Sequence, residues 1–165
     1  MTIDQFGKLS TKEKYDQLFN CCGSSAWVKG MLEIFPVEDL NDLLDHAEEL
    51  WYDCNPADWL EAFENHARLG DKEALEHEDM PASGKNEQSR LLTSDKETIK
   101  ALTDANAEYE EVFGYMFISY ARGKSAEQLL AELKERLNND PREEIKIAAD
   151  EQDKITKGRL KKLFS

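Results

Sequence analysis

The chain has 165 residues, of which 40% are hydrophobic and 34% charged, and its formal net charge is -14. That is enough apolar mass for one packed domain under a well-solvated surface. The acidity argues against nucleic acid and anionic membranes as partners, and an anionic substrate would need a locally basic pocket.

Helix signals are dense along the chain and strand signals nearly absent. Ser10 with Glu13 has the form of a capping box, opening a helix that Gly23 closes. Ser24 and Ser25 cap the next, through Trp27 and Met31, which stops at Pro36. From Asp39 onward, Leu40, Leu43, Leu44, Ala47, Leu50, Trp51 and Cys54 recur at helical spacing. Asn55-Pro56 is a cap followed by proline at the first helical position, and the helix it opens carries Trp59, Leu60, Phe63 and His66 before Gly70 ends it. Residues 71–84 are polar, contain Pro81 and Gly84, and read as a loop. A helical pattern resumes near Lys85 and is broken or capped afresh at Ser94-Asp95, after which Ile99, Leu102, Asn106, Tyr109 and Phe113 share one face. The aromatic stretch from Gly114 to Lys124 reads as an irregular connection. Ser125 with Gln128 caps a helix bearing Leu129, Leu130, Leu133 and Leu137, and Asp140-Pro141 opens the last one. The pattern predicts an all-α fold, a single compact domain over residues 1–165 with about seven or eight helices.

Chemistry is sought in polar side chains that fall where the period calls for apolar ones. The last helix has Ile145, Ala148, Ala149, Gln152, Ile155, Arg159, Leu160 and Leu163 on one stripe, so Gln152 and Arg159 turn towards the core. An unpaired buried charge is costly, so Arg159 needs a partner or a ligand; a snorkelling arginine near a helix end is the plainer reading. His66 follows Phe63 and Trp59 on their face. It is either a satisfied core histidine or a group that moves protons near neutral pH. Glu87 and Gln88 lean over the apolar side of their helix, although a glutamate there also suits the helix dipole. Asn106 reads as a structural hydrogen-bonding residue.

Other chemistries lack support. There is no P-loop, dinucleotide-binding glycine pattern, HExxH helix or GxSxG elbow, and His46, His66 and His77 have no ligand spacing. The serines of Cys21-Cys22-Gly23-Ser24-Ser25 fit helix capping better than a nucleophile loop. The odd cysteine count, Cys21, Cys22 and Cys54, fits neither a disulfide framework nor a zinc site. No segment resembles a signal peptide or a membrane span, and Leu163-Phe164-Ser165 is not the peroxisomal tripeptide. A reducing cytoplasm is the expected compartment.

Several segments in order resemble the 2-oxo-4-hydroxy-4-carboxy-5-ureidoimidazoline (OHCU) decarboxylase family. They are Cys21 to Val28 with Met31, Trp59 to His66 followed by Leu69-Gly70-Asp71, Glu87-Gln88, and Asn106 to Glu110. Phe113 to Ile118, Ala121 to Ser125, Glu151-Gln152 with Ile155, and Arg159-Leu160 complete the set. The resemblance implies an all-α enzyme, commonly a homodimer, acting on a small ureidoimidazoline without metal or organic cofactor. It implies catalytic roles for His66, Glu87 and Arg159. It implies substrate contacts from Ala67, Gln88 and the backbone of Phe117, Ile118, Ser119, Tyr120 and Ala121. One departure is the family His-Pro, which here is His66-Ala67. Without the proline the helix can run further, and Ala67 leaves a smaller wall. Two other readings remain open at this point: a non-catalytic helical interaction protein, and a decarboxylase of a related ureido or hydantoin-like acid.

Overall fold

Capping decides where the helices begin. Thr2, Ser10, Ser24, Asp39 and Ser125 each accept a hydrogen bond from the backbone N–H three residues on. At Ser10 and Ser125 the return bonds from Glu13 and Gln128 close the capping boxes. Asn55 and Asp58 cap each other in the same reciprocal way, at 3.0 and 3.1 Å. In this computed structural model, described for residues 1–76 and 96–165 and at side-chain level for 1–66 and 96–165, the described residues form eight helices and no strand. These are α1 (Ile3–Gly7), α2 (Thr11–Cys21), α3 (Ser25–Glu33), α4 (Leu40–Asp53), α5 (Pro56–Glu76), α6 (Lys96–Phe113), α7 (Ala126–Arg136) and α8 (Pro141–Leu163). The all-α expectation holds, and no helix among the described residues is long and apolar enough to cross a membrane.

Gly70 does not end its helix: α5 continues through it to Glu76. A single glycine costs a helix only about 1 kcal/mol, and with Ala67 in place of proline no local breaker stops the turn. The pattern resuming near Lys85 and the break at Ser94-Asp95 lie outside the described residues. Leu60, one of the apolar residues that α5 carries, is exposed.

The chain divides into two compact units, Met1–His66 with Ala149–Ser165, and Ala67–Ala148. The first is built on Phe6, Leu18, Trp27, Met31, Leu43, Trp51, Phe63 and Leu160, all buried. Its indoles are satisfied internally: Trp27 Nε1 donates to the Ala47 carbonyl, Trp51 Nε1 to Ala149 and Trp59 Nε1 to Trp51, at 2.9–3.0 Å. The second unit packs Tyr109, Ile118, Ala126 and Leu133 around an ion pair, Arg136 with Glu144. Residues 114–125 connect α6 to α7 irregularly, as the sequence suggests, with positive φ at Gly114 and Gly123.

Gly23 illustrates how closely the first unit is fitted. Asn65 Nδ2 donates to the Gly23 carbonyl at 2.8 Å, and a methyl group at Gly23 would overlap Asn65 Cβ. Gly23→Ala is expected to cost about 1–3 kcal/mol, because α5 must shift beside His66. A urea midpoint equal to that of the parent protein would show that the contact is slack.

Candidate active site

His66 lies three residues beyond Phe63, which is fully buried, so the helical period carries the imidazole inward. Its Nδ1 is sealed from solvent and has no hydrogen-bond partner. Burial and the nearby Arg159 guanidinium push the imidazole down to about 4, while the Gln152 amide acts in the opposite direction. The free protein therefore holds His66 neutral at neutral pH.

Arg159 reaches this region from α8, one turn before its end, and donates from Nη1 to the Cys21 carbonyl at 3.5 Å. The stripe read from the sequence is real: Ala148, Ala149, Gln152 and Leu160 are buried, and Arg159 is partly so. Gln152 Nε2 donates to Thr156 Oγ1 at 3.1 Å, and its Oε1 is buried without a partner. Thr156 in turn hydrogen-bonds the Cys22 thiol.

The cysteines and serines here are structural. Burial pushes the Cys21 and Cys22 thiols up to about 12, so neither is a thiolate nucleophile. All three cysteines are free. Ser24 caps α3, while the Ser25 N–H and hydroxyl both donate to the Glu61 carboxylate, at 2.7 and 2.6 Å, tying α3 to α5.

The second unit holds the irregular segment of the sequence reading. Phe117 and Ile118 are buried. The Ile118 carbonyl accepts from Arg136 Nη1 at 2.7 Å, and the Ala121 carbonyl accepts from the Lys124 N–H at 3.0 Å. Ser119 Oγ donates to Glu132, whose carboxylate also takes Lys124 Nζ at 2.8 Å. These bonds shape the segment from within, so the carbonyls of Ile118 and Ala121 already carry one donor each. Tyr120 is partly buried.

Of the expected site residues, His66 and Arg159 come together in the first unit, and Phe117 to Ala121 belong to the second. Glu87 and Gln88 lie outside the described residues, as does the side chain of Ala67, whose backbone continues α5. Sequence reasoning turned Gln152 inward without giving it a task, and it missed Thr156 and the Arg136–Glu144 pair. The signal for the pair was present: Arg136 continues the Leu129, Leu133 stripe of α7, and Glu144 precedes Ala148 by one turn. What the first unit assembles is a neutral imidazole able to accept a proton, beside a permanent cation able to hold an anion.

A family model described as OHCU decarboxylase matches residues 7–161. The chain is 36% identical over 148 residues to the uric acid degradation bifunctional protein TTL of Arabidopsis thaliana, across 88% of this chain and 45% of that protein. It is 27% identical over 168 residues to the uric acid degradation bifunctional protein of Bacillus sp. (strain TB-90), across 99% of this chain and 32% of that one. The chain thus spans less than half the length of these curated relatives. A crystal structure of OHCU decarboxylase in the presence of (S)-allantoin aligns with a TM-score of 0.72 at 35% identity, covering 90% of this chain and 97% of that one.

Proposed function

The chain belongs to the OHCU decarboxylase family, and we propose that it converts 2-oxo-4-hydroxy-4-carboxy-5-ureidoimidazoline to (S)-allantoin in urate breakdown. The observation that carries this reading is the buried, unpartnered Nδ1 of His66 on an imidazole that burial, and then the field of Arg159, keep neutral. The substrate is an anion, so Arg159 would hold its carboxylate and offset the acidic shell. Loss of carbon dioxide leaves the carboxyl electron pair in the ring, where conjugation spreads it, so no electron sink has to be supplied. The hydroxyl on the carbon that loses the carboxylate becomes a carbonyl, the neighbouring ureido carbon gains a proton, and the ring nitrogen left with the negative charge takes a proton from water. A neutral histidine can take the hydroxyl proton and return it to one face of that carbon, which fixes the product's hand. Binding an anion beside Arg159 also offsets one of the two causes that depress His66, so the imidazole becomes a better base when substrate is present.

In the same reading the family resemblance gives Glu87 and Gln88 the hydroxyl and ureido groups of the substrate, and gives further substrate contacts to Ala67 and to the backbone from Phe117 to Ala121. The chain is one such domain, working as a cytoplasmic homodimer without metal or organic cofactor. Family membership supports the dimer, and the three unpaired cysteines are in keeping with a reducing compartment.

The test is chiral. Urate, a urate oxidase and a hydroxyisourate hydrolase generate the unstable substrate in place, and circular dichroism follows allantoin with and without this protein. Fast appearance of the S enantiomer alone supports the reading; a signal no faster than spontaneous racemic decay overturns it.

Arg159→Gln is expected to raise KM about tenfold to a hundredfold, the worth of a charge-assisted hydrogen bond. It should also move the His66 titration up from about 4, because Arg159 is one of the groups depressing it. Steady-state kinetics and an NMR titration of the imidazole check the two halves. Unchanged KM would remove Arg159 from substrate binding.

A further inference from the structure

We propose that Gln152 is a positioning residue that holds the proton of neutral His66 on Nδ1 and leaves Nε2 as the nitrogen that exchanges protons with substrate. The second half of this statement rests on the decarboxylase reading; the first does not.

Gln152 is only 1% exposed, on a stripe where an apolar side chain would pack without polar cost. Its two amide ends differ. Nε2 is engaged, donating to Thr156 Oγ1 at 3.1 Å one turn further along α8. Oε1 is sealed from water and unpartnered. His66, whose ring feels the Gln152 amide, has its Nδ1 sealed and unpartnered as well. An amide oxygen only accepts, whereas a neutral ring nitrogen accepts or donates according to the tautomer. With the proton on Nε2, two lone pairs would face each other in a dry site. With it on Nδ1, one bond can satisfy both orphaned atoms.

The direction of the amide is set from below. Thr156 hydrogen-bonds the fully buried Cys22 thiol. A hydroxyl has a single proton, and with that proton turned to the sulfur Thr156 meets Gln152 with a lone pair and so selects its NH₂ end. Cys22, Thr156, Gln152 and His66 therefore form an oriented relay within one unit of the chain. It ends by presenting the far nitrogen of the ring.

The test reads the tautomer directly. The full chain, labelled with ¹⁵N-histidine, is studied by two-bond ¹H–¹⁵N correlation at neutral pH, with His66 assigned by its loss in His66→Asn. The expected spectrum has a protonated-type Nδ1 and a bare Nε2. Gln152→Leu should shift His66 towards the other tautomer and lower kcat on the order of tenfold, with KM little changed. Gln152→Glu, which keeps an acceptor facing the ring, should preserve the Nδ1–H form and most of kcat. A His66 that carries its proton on Nε2 in the parent protein overturns the proposal, as does a folded Gln152→Leu with unaltered ring shifts. If Gln152→Leu does not fold, the parent spectrum and Gln152→Glu decide. Because the tautomer is read without substrate, failure of the parent protein to form allantoin would sink the decarboxylase reading and leave the Gln152 assignment intact.

Discussion

His66→Asn is expected to lower kcat/KM between about 10²- and 10⁴-fold, the range lost when a positioned proton-transfer group is removed. Asparagine is polar, smaller than the imidazole and able to meet the Gln152 amide, but it cannot take up and return a proton. The fold should survive, because the buried apolar packing comes from Phe63 and Trp51 and not from the imidazole. A second consequence separates this variant from a merely damaged one. In the folded chain His66 sits at about 4, against 6.5 unperturbed. A base whose pKa falls on folding contributes its full stability above the unfolded value, and that contribution is lost as pH drops from 6.5 towards 4. The unfolded chain binds the extra proton there. His66→Asn lacks this linkage, so its stability should fall less steeply in that window, by up to about 1.4 kcal/mol per pH unit. Urea midpoints across the window measure it. Full turnover in the variant would remove His66 from the mechanism, and parallel acid profiles would mean that the imidazole is not desolvated.

Much of the fold was legible because its signals are local. The pairs Ser10 with Glu13 and Ser125 with Gln128 need only three residues of context to mark a helix start, and both boxes form. The α4 stripe of Leu43, Leu44, Ala47 and Trp51 is buried as its period requires. Gly70 misled because a glycine permits a helix end without compelling one. At the site, periodicity turned His66, Gln152 and Arg159 inward but could not say what each would meet. The neutrality of His66 comes first from its burial and then from an arginine at the far end of the chain, and the task of Gln152 depends on which end of its amide Thr156 takes. Those are facts of tertiary packing and hydrogen-bond direction, which spacing does not encode. The role of Ser25 was hidden in the same way, since the carboxylate it binds comes from the body of another helix.

The Arg136–Glu144 pair is the other place where a single substitution should have a large effect. Glu144 is fully buried and Arg136 nearly so; Arg136 Nε donates to Glu144 Oε1 at 2.7 Å, and the Tyr109 hydroxyl donates to Oε2 at 3.1 Å. The guanidinium also lies 4.6 Å from the Phe117 ring centroid. Arg136→Met should therefore cost about 3–5 kcal/mol, because it strands a buried carboxylate with one neutral donor. Against a typical total of about 5–15 kcal/mol, that endangers the fold at physiological temperature. The double variant Arg136→Met/Glu144→Gln should cost clearly less than the sum of its parts, since it removes both charges while a glutamine still accepts from Tyr109. Additive losses in a urea double-mutant cycle would mean that the two charges do not stabilise each other. The pair also has a functional consequence. Arg136 Nη1 fixes the Ile118 carbonyl at 2.7 Å, in the middle of the segment proposed to meet substrate. The double variant, even where folded, loses that anchor and should bind substrate more weakly than the parent protein. A double variant with recovered stability and a raised KM would separate the two tasks of Arg136: balancing a buried charge, and holding residues 117–121 in shape.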